Sequence, residues 1–181
     1  MNEKKLTIFT VGHSTRSIEE FFDLLRHYHI TELVDIRTIP KSKHNPQFNG
    51  PELAETLRAH HLGYRHQKNL GGFRHAHVDS VNTAWENLSF RGFADYMQTE
   101  AFKEGIQKLI ELAHTKTVAI MCSEAVPWRC HRSLIGDALL VRKIEVIDII
   151  SLSSAKPHTL TPWAVVHGEN ITYPADAVRR D

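Results

Sequence analysis

Two cysteines, a glutamate, a histidine and two arginines fall within twelve consecutive residues of this chain, Met121-Cys122-Ser123-Glu124-Ala125-Val126-Pro127-Trp128-Arg129-Cys130-His131-Arg132. The stretch follows an apolar run, Thr117 to Met121, with the pattern of a buried strand, and precedes a helical pattern, Ser133 to Leu140. At a strand-to-helix turn the first N–H groups and the dipole of the helix point at one spot, where α/β proteins bind ligands. Thiol, carboxylate, imidazole and guanidinium groups gathered there supply nucleophilic, acid–base and anion-binding chemistry.

A helix starting near Trp128 or Arg129 places Cys130 in its first turn. The dipole, Arg129 and Arg132 then favour a thiolate, so the expected pKa of Cys130 is low. The plainer reading of either cysteine is a small buried core residue, and for Cys122, at the strand end, it carries as much weight. Glu124 suits a general acid or base, or an orienting partner for Arg132. Cys122, Glu124 and Cys130 are therefore the candidate catalytic groups, with His131 and Arg132 as candidate substrate-binding residues. The spacing Cys-x-Glu-x5-Cys-His also offers metal ligands, which His13 or His44 would complete. Structural zinc sites draw on two short ligand pairs, and no second Cys or His pair of that kind occurs, so no metal or other cofactor is assigned. A reversible Cys122–Cys130 disulfide is a further alternative. Cysteine phosphatases need Cys-x5-Arg, whereas Arg132 follows Cys130 by two and Arg129 follows Cys122 by seven; their mechanism does not carry over.

Three other stretches could line the same crevice. Gly12-His13-Ser14-Thr15-Arg16 follows the first strand and lets the backbone approach an anion at His13 and Ser14. It matches neither the dinucleotide fingerprint nor the P-loop. Asp35 lies in an apolar run and needs a buried partner, for which Arg37 or His13 is at hand. Lys41, Lys43, His44, Asn45, Gln47 and Phe48 form a basic loop suited to a phosphate or a nucleobase, and Gly71-Gly72-Phe73-Arg74 adds to its rim. A solvated loop, a capping turn and a structural ion pair are the plainer readings.

The elements that must position these groups alternate. Strands are expected at Leu6–Val11, Glu32–Ile36, Leu62–His66, Thr117–Met121 and Glu145–Ile150. Between them Ser17 caps a helix, with Glu20 completing a capping box, Asn49 and Pro51 open a second, and Thr99 caps a third. Residues 69–90 read as a long surface loop with short helical pieces. Trp163–Val166 and Ile171–Tyr173 read as a C-terminal hairpin around Gly168-Glu169-Asn170. The expected fold is α/β and three-layered: a mostly parallel five-stranded sheet of order 3-2-1-4-5, helices on both faces, and a small C-terminal hairpin. In that order the loops after the first and fourth strands face each other.

With 181 residues, 41% hydrophobic and 24% charged, the chain has the length and composition of a single globular α/β domain spanning 1–181. A net charge of +1 provides no overall basic field for nucleic acid. No apolar run reaches the roughly 20 residues that span a bilayer, and the N-terminus lacks a signal-peptide core, so a cytoplasmic protein with reduced thiols and no membrane partner is expected.

On these motifs the chain resembles the domain-of-unknown-function family 488 nearly end to end. The resemblance rests on Val11-Gly12-His13-Ser14-Thr15-Arg16, Val34-Asp35-Ile36-Arg37 with Pro40, Asn45-Pro46-Gln47-Phe48-Asn49, Leu70-Gly71-Gly72, Tyr96-Met97, Met121-Cys122-Ser123-Glu124 with Pro127, Cys130-His131-Arg132, and Leu160-Thr161-Pro162-Trp163-Ala164. It implies a compact α/β domain with a polar cleft and brings no reaction with it. The leading expectation is an enzyme for a small anionic or nucleotide-like substrate. Arg37 and Arg132 would hold the anion, Glu124 would move protons, and Cys130 would be the nucleophile or redox thiol. The alternatives are a non-catalytic nucleic-acid or nucleotide-binding module using the Lys41–Phe48 loop, and a metal-binding protein using Cys, Glu and His.

Overall fold

The computed structural model of the chain describes residues 4–178. Its strands are β1 (Thr7–Gly12), β2 (Glu32–Asp35), β3 (Gly63–His66), β4 (Val118–Cys122), β5 (Glu145–Ser151), β6 (Ser154–Pro157), β7 (Val165–His167) and β8 (Asn170–Thr172). Its helices are α1 (Ile18–His27), α2 (Gly50–Ala59), α3 (Leu88–Tyr96), α4 (Glu100–Ala113) and α5 (Arg132–Leu140). The fold is the expected α/β sandwich. Five strands run parallel, helices cover both faces, and β7 and β8 make the C-terminal hairpin, turning at Gly168 with φ 63. Among the described residues no helix is long and apolar enough to cross a membrane. The reading of the N-terminus as lacking a leader falls partly on residues 1–3, outside the described residues.

The local signals explain the helices. Ser17 accepts from the Glu20 N–H while the Glu20 carboxylate accepts from the Ser17 N–H, a complete capping box. Thr99 caps α4. Asn49 precedes α2 but spends its side chain elsewhere, accepting from the Ser42 N–H at 2.7 Å and so tying down the basic loop. Phe21, Phe22, Leu24 and Leu25 of α1 join Leu53 and Leu57 of α2 on one face of the sheet, against Val11, Leu33 and Met121. Phe102, Ile106 and Leu109 of α4 join Leu134, Ile135 and Leu139 of α5 on the other, against Ile8, Val34 and Ile120. Each fully buried Leu, Ile or Phe there contributes roughly 1.5–3 kcal/mol by leaving water.

The sheet order is β3-β2-β4-β1-β5-β6, which corrects the expected 3-2-1-4-5. Alternation and crossover handedness fix which way a connection turns, not how many positions it skips. Here the β1–α1–β2 crossover leaves a slot one strand wide. The wholly buried Val118-Ala119-Ile120-Met121-Cys122 fills it, pairing with β1 and β2. The loop after β4 is therefore flanked by the loops after both β1 and β2. The sheet also has six strands rather than five. Its sixth, β6, is a short edge strand antiparallel to β5; its Ser-rich start and terminal Pro157 read as loop, and proline is tolerated at such an edge. Helix α3, with Gly92 at its middle and Asn87 as its cap, lies partly inside the stretch expected to be loop. Finally, α5 begins at Arg132, after a separate 3-10 turn at Pro127–Arg129. Cys130 thus precedes the helix instead of lying in its first turn.

Candidate active site

The loops after β1 and β4 are fastened together by backbone bonds. The His13 N–H donates to the Cys122 carbonyl at 2.9 Å and the Ser14 N–H to the Ser123 carbonyl at 3.0 Å. Gly12 permits this approach: a Cβ there would lie 1.6 Å from the Glu124 carbonyl oxygen. Ser14 takes the left-handed backbone, with φ 48.

This fastening presents Cys122 to two polar groups. The Cys130 thiol donates to the Cys122 sulfur at 2.7 Å, and Arg132 Nη1 donates to the same sulfur at 2.6 Å. Arg132 is wholly buried. Its Nη1 also donates to the Glu124 carbonyl at 2.6 Å, its Nη2 to the Ala125 carbonyl at 3.2 Å, and its Nε to Thr10 Oγ1 at 3.4 Å. The guanidinium therefore braces the β4 loop and supplies the counter-charge to one sulfur. Burial alone would raise the Cys122 pKa. The hydrogen bond from Cys130 and the charge of Arg132 outweigh it and hold the thiol at about 7. Cys130 moves the other way: burial raises its pKa, and so does donating its proton beside the Cys122 charge. The sequence pointed to Cys130 as the thiol with the lowered pKa; in the structure the lowering falls on Cys122 and Cys130 is raised. Arg129 is exposed, and the first N–H of α5 meets Cys130 only through a 3.5 Å contact from Arg132 N.

His131 stands beside the pair. Its Nε2 donates to the Leu70 carbonyl at 2.9 Å, because that carbonyl can only accept, and its Nδ1 lies 3.6 Å from the Cys130 sulfur. Burial lowers its pKa to about 4 despite nearby carbonyls, so the imidazole is neutral. Gly72 makes room for it, since a Cβ there would fall 2.6 Å from His131 Nδ1.

Arg37, past β2, brings the second buried cation. Its Nε and Nη2 donate to Asp35 Oδ1 and Oδ2 at 2.9 and 2.6 Å, and Nη2 also donates to the Phe48 carbonyl at 2.7 Å. Tyr64 donates to Asp35 as well, at 2.7 Å. Asp35 thus has the partner that its place in an apolar run demanded. Nη1 is the nitrogen least engaged; its one side-chain contact is His13 Nε2 at 3.4 Å. His13 donates from Nδ1 to the Ser14 carbonyl at 2.8 Å and stacks on Phe48 at 4.4 Å. Burial chiefly, with Arg37 adding to it, lowers its pKa to about 4.

An open cavity of about 550 Å³ joins these groups. Cys122, Cys130 and His131 form one part of its wall, Arg37 and Lys41 another, and Glu124 and Arg129 flank the thiols. Gly72 also lines it. The Glu124 carboxylate is exposed and has no hydrogen-bond partner among the described residues. The remaining sequence candidates lie outside the wall. His13, Asp35 and Arg132 are buried behind Arg37 and Cys122. Gly71 packs on Thr38, a Cβ there meeting Thr38 Oγ1 at 2.4 Å. Lys43 is exposed elsewhere, Asn45 donates its N–H to Ser42 Oγ, and Ser14 contributes its backbone. Thr38, Ser42, Asn87 and Phe90 line the cavity and carried no motif that marked them. Among the described residues no three His, Cys, Asp or Glu side chains are placed to hold a metal ion.

A second set of groups was missed altogether. Thr10 Oγ1, which accepts from Arg132, donates to Asp148 Oδ1 at 2.5 Å. His158 bridges Asp148 Oδ2 at 2.9 Å and Asp137 Oδ1 at 3.0 Å, and the Tyr173 hydroxyl donates to Asp137 Oδ2 at 2.8 Å. Burial opposes a charge on His158, but its hydrogen bonds to the two carboxylates and their charges prevail and raise its pKa to about 9. This buried ladder runs from the thiol pair to the C-terminal segment.

The model of the family described as "Domain of unknown function DUF488" matches residues 17–139. No curated protein and no solved structure matches the chain.

Proposed function

The chain belongs to the DUF488 family, and from that premise we propose that it is a thiol enzyme acting on a small anionic substrate, with Cys122 as nucleophile. The observation that carries this reading is the contact of Arg132 Nη1 with the Cys122 sulfur at 2.6 Å, in the wall of a cavity that Arg37 also lines. A thiolate, not a thiol, attacks electrophiles. A guanidinium 2.6 Å away in a dry setting favours that form, because charge–charge energies grow as the dielectric falls. Arg37 is held rigid by Asp35, which suits a planar, directional anion contact. Lys41 and Arg129 add positive charge at the mouth, and Glu124, solvated there, is placed to take or return a proton.

The test is to alkylate the native protein with iodoacetate and with iodoacetamide. In a cationic cavity the charged reagent gains on the neutral one, relative to their ratio for free cysteine, and the label falls on Cys122. Label on neither cysteine, or no gain for the anion, contradicts the reading.

A further inference from the structure

We propose that Cys122 and Cys130 form a two-electron redox centre that reduces a small hydroperoxide, Cys122 being the attacking cysteine and Cys130 the resolving one. This rests on the reading of Cys122 as nucleophile and adds the class of substrate. A second sulfur in contact with the first can do more than donate a hydrogen bond that favours its thiolate: it can also form a bond to it. Here the second sulfur lies 2.7 Å away and is buried, and burial beside Cys122 raises its pKa, which favours the thiol form. Once Cys122 carries an electrophilic sulfur, Cys130 is the group poised to attack it.

The chemistry balances with the groups at hand. The Cys122 thiolate attacks the terminal oxygen of R–O–O–H. The S–O bond forms and the O–O bond breaks. The RO⁻ released takes a proton from water at the cavity mouth and leaves as the alcohol. Cys122 is now a sulfenic acid. The Cys130 sulfur then attacks the Cys122 sulfur, and the hydroxide displaced leaves as water with the Cys130 proton. The peroxide has been reduced by two electrons and the dithiol oxidised to a disulfide. A small-molecule dithiol that enters the cavity as the peroxide does gives up two electrons to the disulfide, becomes a disulfide itself and restores both thiols for the next turnover.

Burial selects this class over other oxidants. Cys122 is 2% exposed and Cys130 6%. A disulfide on another protein must bring a sulfur in line with the attacking atom, and that approach is closed. A peroxide oxygen is small enough to enter through the cavity. Arg37, Lys41 and Arg129 would favour a hydroperoxide whose organic part carries a carboxylate or phosphate.

The test treats reduced, full-length protein with one equivalent of hydrogen peroxide at pH 7, followed by blocking and tryptic digestion. Cleavage after Arg129 separates the two cysteines, so a Cys122–Cys130 bond appears as two linked peptides, one of them Cys130-His131-Arg132. The expected result is that linkage, formed about tenfold faster than free cysteine reacts, since a free thiol is only a few per cent ionised at pH 7. In Cys130→Ser the reaction stops at a Cys122 sulfenic acid, which a cyclic 1,3-diketone traps. In Cys122→Ser, Cys130 stays reduced. Three results would overturn the proposal: Cys130 oxidised in Cys122→Ser, a wild-type Cys122 that passes to sulfinic acid with Cys130 still a thiol, or no gain over free cysteine. Fast alkylation of Cys122 together with any of these removes the peroxide assignment and leaves the nucleophile standing. Slow alkylation removes both.

Discussion

Arg132 Nη1 sits 2.6 Å from the Cys122 sulfur, while the residue itself is shut away from solvent. A buried cation of this kind is costly unless paired, so sulfur and guanidinium depend on one another. Arg132→Met should return the Cys122 ionisation to the ordinary thiol range or above it, and should cost about 3–5 kcal/mol, the loss expected on breaking a buried pair. Arg132→Lys should keep part of the charge and lose the fork that braces the Glu124 and Ala125 carbonyls. Thiol titration at 240 nm, with urea unfolding alongside, measures both. A Cys122 ionisation unchanged in Arg132→Met would show that the guanidinium does not hold the thiolate.

The exposed cations should matter for selectivity and not for stability. Lys41→Gln and Arg129→Gln each remove charge from the cavity mouth and should shift stability by less than about 0.5 kcal/mol. Together they should cut the iodoacetate-to-iodoacetamide rate ratio at Cys122 and flatten its dependence on salt. An unchanged ratio would assign anion attraction to Arg37 alone.

The glycines give a graded test. Gly12→Ala sets a Cβ against the Glu124 carbonyl at 1.6 Å, where only backbone can yield, so it should abolish the native fold or shift the β4 loop bodily. Gly72→Ala meets the His131 ring at 2.6 Å, a side chain that can give, and should cost about 1–3 kcal/mol. Gly168→Ala meets nothing within 4 Å and pays only for its positive φ, about 1–2 kcal/mol. Thermal melts of the three should rank in that order.

Stability should fall towards both extremes of pH, for different reasons. His158 has its pKa raised from 6.5 to about 9, so the stability it adds is whole below about pH 6.5 and is lost as pH rises through 9. The shift corresponds to about 3 kcal/mol. His13 and His131 have theirs lowered to about 4, so their contribution is present above about 6.5 and fades as pH falls towards 4. In His158→Gln the decline between about pH 6.5 and 9 should disappear while the acid one persists. A decline over that range that survives the substitution would place its origin elsewhere.

Much of the site could be read from the chain because its parts are adjacent in sequence or paired by necessity. Cys122, Glu124, Cys130 and His131 sit on one short loop, and Asp35 inside an apolar run called for Arg37. What the sequence could not settle were questions of reach. Which sulfur ionises depends on where α5 begins. Its start at Arg132 turns that side chain back onto Cys122, while Cys130 is left as donor. The place of β4 between β1 and β2 depends on a skipped strand position, which alternation does not encode. The ladder from Thr10 through Asp148 and His158 to Asp137 joins residues far apart in the chain, so no local pattern marks it.

The most direct measurement is the rate of iodoacetamide labelling at each cysteine, followed by peptide mass spectrometry across pH 5 to about 10. This account predicts that Cys122 labels with a midpoint near 7 and Cys130 far more slowly throughout the neutral range. A Cys130 that labels first, or a Cys122 whose midpoint lies at that of free cysteine, would contradict it.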